Sequence, residues 1–503
     1  MSHKKNIFKG MLAGSIGILA TRISGLVRDI FVASIAGTSQ FFACFVLAFS
    51  FVNIFRRGFG EGASTEATIP VFNEKMEQKG LPAAFEFLTI VLNRLFIGLL
   101  GISFVAALIA LAFIQWDTKQ MNQEAAKLYL WFIPLIPLVC LYGFLIGILN
   151  SLGKFSLPAL APILINLAIM LGFWLSTNHP KNQNLLLASC LLIGAIAQIF
   201  ILIPSLRKKE YRWKFKFKLL NEDRLKLRKL FIPAIIGASF YPIGILVDRG
   251  FAAWCGAGAV SGLYYAERLV YLPIGVFGVA LTAACLPVMS RAFAKNDLKE
   301  VESSLNYSIK QILFITLPLT IALFLGCDAI IEVLFLRGEF DQQSVTDTRK
   351  ALLFYLPGIP AFAALKIIRS GFFSMQDTKT PLKVSLFCIA LNIVLNIIFI
   401  NPLEQSGIAL ATSISAATNV FILIFLLVKK MDISVLPETV KYTVKLLPAI
   451  LIVPAIYYGL DYIHESNRWL SISYIALAGV GYLVLSILIM PEQKLFVKRI
   501  FKR

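Results

Sequence analysis

Seven cationic side chains interrupt stretches that are otherwise apolar: Arg22, Arg28, Arg94, Arg249, Arg268, Lys366 and Arg369. A guanidinium stays charged in any protein setting, and its planar fork fits two oxygens of a phosphate or carboxylate. Near the centre of a bilayer each such charge costs about 2.5–3.5 kcal/mol. These residues must therefore snorkel, pair or line a wet cavity. Arg28 with Asp29, Asp248 with Arg249, and Glu267 with Arg268 are neighbours of opposite sign. Adjacent helical residues do not face each other, so adjacency is not expected to neutralise them. Arg22 and Arg28, six residues apart, are expected on nearly the same side of one helix. With Arg268 in the matching region of a second lobe, they read as a cationic cavity for an anion, phosphate or pyrophosphate first. A site for an organic cation would want carboxylates and aromatics instead. Arg94 reads as a packing or snorkelling residue.

The segment Asn53–Glu74 carries glycines at 58, 60 and 62 but no following GK[ST], so it is not a phosphate loop. It reads as a glycine-rich bend at the cytoplasmic mouth, where Arg56, Arg57 and Glu61 meet a headgroup. Ordinary positive-inside anchoring explains Arg57 equally well. The seven cysteines are scattered singly, and the three histidines sit in a terminus or loops. That pattern offers neither a disulfide framework nor a metal cluster.

The elements that position these residues follow from composition. The chain has 503 residues, 58% apolar and only 15% charged, against about 25% charged in a soluble protein. Apolar stretches long enough to span recur throughout, which excludes a soluble enzyme with one anchor and an outer-membrane barrel. The excess of 48 Lys and Arg over 28 Asp and Glu reads as basic cytoplasmic loops rather than nucleic-acid binding. Hydropathy predicts an all-α polytopic membrane protein of about fourteen spans, from 8–36, 40–55 and 83–114 to 470–490. With the N-terminus inside, the inner segments hold 34 Lys and Arg and the outer loops 7, placing both termini in the cytoplasm.

A weak internal repeat is present. "RDIFVASIAG" at 28–37 matches "DRGFAAWCGA" at 248–257, and "GASTEATIPVF" at 62–72 matches "VALTAACLPVM" at 279–289, with offsets of 217 to 220. An even number of spans per unit repeats in the same orientation, the architecture of alternating-access transporters with a site between lobes. The expected division is an N-lobe at 1–206, a basic linker at 207–229, a C-lobe at 230–428 and two further helices within 429–503.

"TRISGLVRDIFVASIAG", "FRRGFGEGASTEATIPVF", "YYAERLVYLPIGVFGVALTAACLPVMSR" and "GFFSMQDTKTP" resemble the MurJ (MviN) lipid II flippases of the multidrug/oligosaccharidyl-lipid/polysaccharide exporter superfamily. The resemblance runs over essentially the whole chain. It implies a non-enzymatic carrier in the bacterial cytoplasmic membrane. The cargo would be lipid II, undecaprenyl-pyrophosphate-linked disaccharide-pentapeptide, among membrane lipids and with the protein acting as a monomer. By motif, the functional arginines fall on Arg22, Arg28, Arg56 and Arg268; Asp29, Glu61 and Glu267 are the candidate gate partners. The last two spans would form a groove for the lipid tail. Two acidic positions of the family are Ala43 and Tyr271 here. A coupling cation, sodium or proton, would use Asp248, Asn392, Asn396 and Thr412; interhelical hydrogen bonding explains these polar residues slightly better. The membrane potential would assist an outward-moving anion by about 2.3 kcal/mol per charge per 100 mV. An exporter of another polyprenyl-linked oligosaccharide would want the same arginines; a drug/cation antiporter is the more distant alternative.

Overall fold

The computed structural model describes residues 2–117, 119–433, 435–463, 467–490 and 493–494; His464 and the basic tail from 495 onward lie outside the described residues. Helices follow one another along the chain, and among the described residues there is no strand. Among the described residues, nine helices are long and apolar enough to cross a membrane, or ten counting Gln120–Phe132 with Leu135–Ser151, a pair bent by 58°. One of the nine is the continuous stretch Gln40–Trp116, which holds two expected spans and breaks its helical geometry at Gly80. Three further expected spans fall on Ser2–Ala36, Asn221–Cys255 and the run from Ala257 to Ala294. These are the helices that carry Arg22 and Arg28, Arg249, and Arg268. The protein is an all-α polytopic membrane protein.

The repeat is visible in local backbone geometry. Ser2–Ala36 and Asn221–Cys255 both end at a glycine with positive φ, Gly37 at +51° and Gly256 at +115°, where a side chain would be strained. A π-helical turn then begins at Arg56 and again at Ile274, 218 residues later. Each turn runs into a helix with an internal proline, Pro70 in the first case and Pro287 in the second. The expected glycine-rich bend is therefore corrected: Arg56–Ala63 is a continuous π-helical turn. Its glycines serve close packing instead. A Cβ at Gly60 would lie 2.8 Å from the Cys140 carbonyl oxygen, so only glycine lets this turn reach the helix Leu135–Ser151.

The chain divides into two compact units, Met1–Val260 with Arg337–Phe340, and Ser261–Leu336 with Asp341–Arg503. The repeat-based division assigned 230–254 to the C-lobe. In the structure Asn221–Cys255 belongs to the first unit, where it packs on the π turn and on Gln40–Phe55 and Ser64–Trp116. Small residues allow that approach, since a Cβ at Gly62 would meet the Ala238 Cβ at 2.5 Å. The core of this unit gathers Phe72, Phe85, Leu88, Phe144, Ile148 and Leu202.

In the second unit, Leu436–Ile463 and Arg468–Ile489 pack on each other and on Leu298–Leu325 around Phe314, Leu446, Val453 and Tyr482. Pro318 interrupts that third helix. Having no N–H, it cannot donate to the carbonyl four residues earlier, which is Phe314. The Tyr482 hydroxyl donates to that carbonyl at 2.7 Å. On another side of the unit, Lys430 donates to Asp377 at 2.6 Å, fastening the turn after Ile359–Ser374 to Gln405–Met431. Partial burial raises the Asp377 pKa. Hydrogen bonds from Lys430 and from the Thr380 amide and hydroxyl outweigh it and hold the carboxyl at about 2.

Two outcomes are expected. Tyr482→Phe removes the hydrogen bond to the Phe314 carbonyl and should lower stability by roughly 0.5–1.5 kcal/mol, read as a fall in the thermal midpoint of the purified protein. Asp377 has a depressed pKa, so its contribution is present above the unfolded value of about 3.9 and lost as pH falls toward about 2. Asp377→Asn should therefore be less stable than the parent near neutral pH, with the difference closing between about pH 4 and about pH 2.

Candidate functional site

Arg28 sits one turn from the middle of a polar seam between Ser2–Ala36 and Pro162–Asn178. Its Nε and Nη2 donate to Asp29 Oδ1 at 3.0 and 2.6 Å, and its Nη1 donates to Asn166 Oδ1 at 2.9 Å. Asn166 in turn donates to Ser24 Oγ at 2.8 Å, and Thr21 donates to the Ala159 carbonyl at 2.6 Å. Asp29 is buried and Arg28 nearly so. The expectation that adjacency leaves Arg28 unneutralised is overturned. The flexible arginine stem curls sideways along its own helix, so its head reaches a carboxylate whose Cβ points elsewhere. Nothing in the spacing of Arg28 named Asn166. Its signal was a lone amide inside the apolar run "PILINLAIM".

The expected shared side of Arg22 and Arg28 also needs correction. Six residues at 3.6 per turn leave two directions about 120° apart. Arg28 enters the seam with Asn166, whereas Arg22 is half-buried and makes no hydrogen bond or ion pair among the described residues.

At the π turn, Arg56 Nη1 donates to Glu61 Oε1 in an ion pair, and Arg56 Nε donates to Asn53 Oδ1 at 3.1 Å. The extra residue of a π turn places Glu61 beneath Arg56 at a separation of five. Both side chains keep partial access to solvent, at 27% and 44% exposure. In the second unit the Arg268 guanidinium lies over the Tyr264 ring, 4.4 Å from its centroid, one turn back on the same helix. Glu267 accepts from the Tyr355 hydroxyl at 3.3 Å. Two gate candidates, Asp29 and Glu61, thus hold an arginine, and Glu267 holds a tyrosine.

Three of the four remaining in-span cations donate to acceptors within their own units. Arg94 donates through Nε and Nη2 to the Phe217 carbonyl at 2.9 and 2.7 Å, Arg249 to the Val260 carbonyl at 3.3 Å, and Arg369 to Ser385 at 3.0 Å. Ala43 is fully buried, and Tyr271 packs on Phe362 with ring centroids 5.7 Å apart. Neither position offers a counter-charge. Asn396 donates to Asn392 at 3.1 Å, Asn392 to Thr412 at 3.3 Å, and Thr412 to the Ile408 carbonyl at 2.9 Å. This chain of bonds ties Lys379–Leu403 to Gln405–Met431. Asp248, the fourth member of the expected cation set, is in the other unit.

The arrangement can hold anions at two guanidinium forks, Arg28 and Arg56, each already occupied by a carboxylate. The family model "Lipid II flippase MurJ" matches residues 32–478. A probable lipid II flippase MurJ of Vibrio cholerae is 31% identical over 438 residues, covering 83% of this chain and 82% of that protein. Its counterpart in Haemophilus influenzae is 29% identical over 480 residues, 90% of this chain and 92% of that one. The solved structure of a lipid II flippase MurJ in an inward closed conformation superposes with a TM-score of 0.81 at 27% identity, covering 96% of this chain and 99% of that one. An inward-facing multidrug resistance MATE family transporter of the MOP superfamily shares the fold, with a TM-score of 0.67 at 15% identity over 83% of this chain and 98% of that one. The repeated π turns, the arginines on their carboxylates and this extent of likeness lead to one assignment: the chain belongs to the lipid II flippase MurJ family, transporters and not enzymes.

Proposed function

We propose that this chain carries lipid II from the inner to the outer leaflet of the bacterial cytoplasmic membrane by alternating access. In this reading it crosses the membrane fourteen times with both termini inside. The single observation that carries the proposal is the use of the Arg28 fork. Two of its nitrogens converge on one carboxylate oxygen and a third reaches an amide oxygen, so its donors already hold an anionic oxygen of the kind a diphosphate presents. Family membership supplies the nature of the cargo, and the bias of basic residues toward inner segments supports the orientation.

The mechanism is an exchange of counter-ions. In the unloaded protein Asp29 and Glu61 neutralise Arg28 and Arg56, so neither cation is left desolvated and alone. Arg56, the more accessible of the two, meets the incoming diphosphate first. Arg28 then passes its fork from Asp29 to phosphate, with Asn166 holding the guanidinium in place. Arg22, with no partner of its own among the described residues, adds charge to the bound state; Arg268 is included on the motif resemblance alone. Exposure of the loaded arginines to the opposite side lets Asp29 and Glu61 retake them and release the headgroup. The membrane potential favours the outward step. The polyprenyl tail stays in hydrocarbon along Leu436–Ile463 and Arg468–Ile489, whose exposed Val444, Leu451, Leu477 and Val484 face outward. In this reading the Asn392–Asn396–Thr412 chain joins helices and holds no coupling ion.

The test is appearance of the lipid II headgroup at the outer surface of cells depleted of the native protein and supplied with variants of matched abundance. Arg28→Ala, Arg56→Ala and Arg268→Ala should each cut export about tenfold or more, since one charge-assisted contact is worth roughly 1.5–3 kcal/mol. Arg28→Lys, a point charge without the fork, should rescue only a small part. Normal export by Arg28→Ala would remove this residue from the mechanism. Loss of a different polyprenyl-linked glycan from the surface, with lipid II export intact, would reassign the cargo. Asn392→Ala should lower the thermal midpoint while leaving any sodium dependence of transport unchanged; loss of that dependence would make the chain an ion site.

A further inference from the structure

The linker between Gln183–Arg207 and Asn221–Cys255 plays no part in the mechanism above, yet it is the most highly charged segment of the chain. Residues 207–229 hold eleven Lys and Arg against Glu210, Glu222 and Asp223. Within it, Arg212–Leu219 reads RWKFKFKL, a strict alternation of basic and apolar residues without helix or strand.

Its backbone is pinned. Asn93 Nδ2 donates to the carbonyls of Lys214 and Lys216, both at 2.9 Å, and Arg94 donates to that of Phe217. The Trp213 indole N–H donates back to Asn93 Oδ1 at 2.9 Å. Lys75 on Asp223 and Lys226 on Glu74, at 2.9 and 2.6 Å, clamp the far end.

Pinning the backbone leaves the side chains displayed. Trp213 and Phe215 lie on one side, ring centroids 4.1 Å apart, and are 53% and 76% exposed, with Leu220 at 62%. Of the eleven cations, only Lys216 and Lys226 are in ion pairs among the described residues. Arg212, Lys214 and Lys218 are exposed.

We infer that this strip is a docking surface for anionic lipid headgroups of the leaflet on its side of the membrane. Aromatic rings favour the headgroup level of a bilayer, and unpaired cations beside them are drawn to anionic lipid there. The exposed apolar side chains continue from the linker into the spanning helix through Leu220, Leu225 and Leu230. That continuity favours a bilayer over a nucleic acid, which would leave those leucines in water. The inference does not rest on the transport reading.

The test uses the full chain in nanodiscs of phosphatidylcholine and phosphatidylglycerol, with bromine on the acyl chains of one lipid or the other. The emission of Trp213 is obtained by difference from Trp213→Phe. Brominated phosphatidylglycerol should quench it several-fold more than brominated phosphatidylcholine at equal composition. High salt should erase that preference, as should the triple change Arg212→Gln, Lys214→Gln and Lys218→Gln at unchanged thermal midpoint. Equal quenching by the two lipids, or none, would overturn the inference. A response of Trp213 to a short RNA without any response to lipid would overturn it as well.

Discussion

A guanidinium cannot shed its charge inside an apolar helix, so it must find an anion, other acceptors or water. That constraint organises the first unit. Arg28 is admitted to the interior because Asp29 lies within reach on the same helix and Asn166 closes the seam from the next. Arg56 is admitted because a π turn brings Glu61 under it. Removing the carboxylate from either pair would take away the opposite charge that offsets the cation's desolvation. An anion of the right shape can replace the carboxylate at no such cost, and a carrier needs that property in a site it must both fill and empty.

The repeat explains why the same local device occurs twice. A positive-φ glycine closes the first helix of each copy, a π turn follows, and a proline-bearing helix comes next. A π turn weakens the regular helical ladder and is common at functional sites. The two copies have diverged in chemistry. The first turn carries Arg56 and Glu61, whereas the second, Ile274–Gly278, is apolar, and its arginine lies upstream on a tyrosine ring. Both arginine–carboxylate pairs, Arg28 with Asp29 and Arg56 with Glu61, thus lie in the first unit.

Much of this was legible in the sequence for physical reasons. Apolar runs of spanning length must be helices in a bilayer, so the expected spans fall on helical segments, several of them broken into two or more pieces. The repeat was legible because the glycine and prolines that shape its backbone admit few substitutes. Side-chain direction was not legible. Spacing says where a Cβ points, but the Arg28 head lies several rotatable bonds beyond its own and reached a neighbour that helical geometry seemed to exclude. The same geometry, applied with care, separates Arg22 from Arg28. Asn166, Asn53 and Tyr264 escaped notice because a single polar or aromatic residue in an apolar run has no pattern until its partner is known. The grouping of Asn221–Cys255 with the first unit escaped for a related reason. Packing follows small residues such as Gly62 and Ala238 across long separations, whereas a repeat follows chain order.

The proposed exchange of counter-ions on Arg28 can be tested directly by solid-state NMR of the protein in membranes, with nitrogen-labelled arginine and lipid II as the phosphorus source. Lipid II binding should bring phosphorus within hydrogen-bonding range of the Arg28 guanidinium and release its contact with the Asp29 carboxylate. An Arg28 that stays on Asp29, with no phosphorus beside it while lipid II is bound and transported, would contradict the exchange.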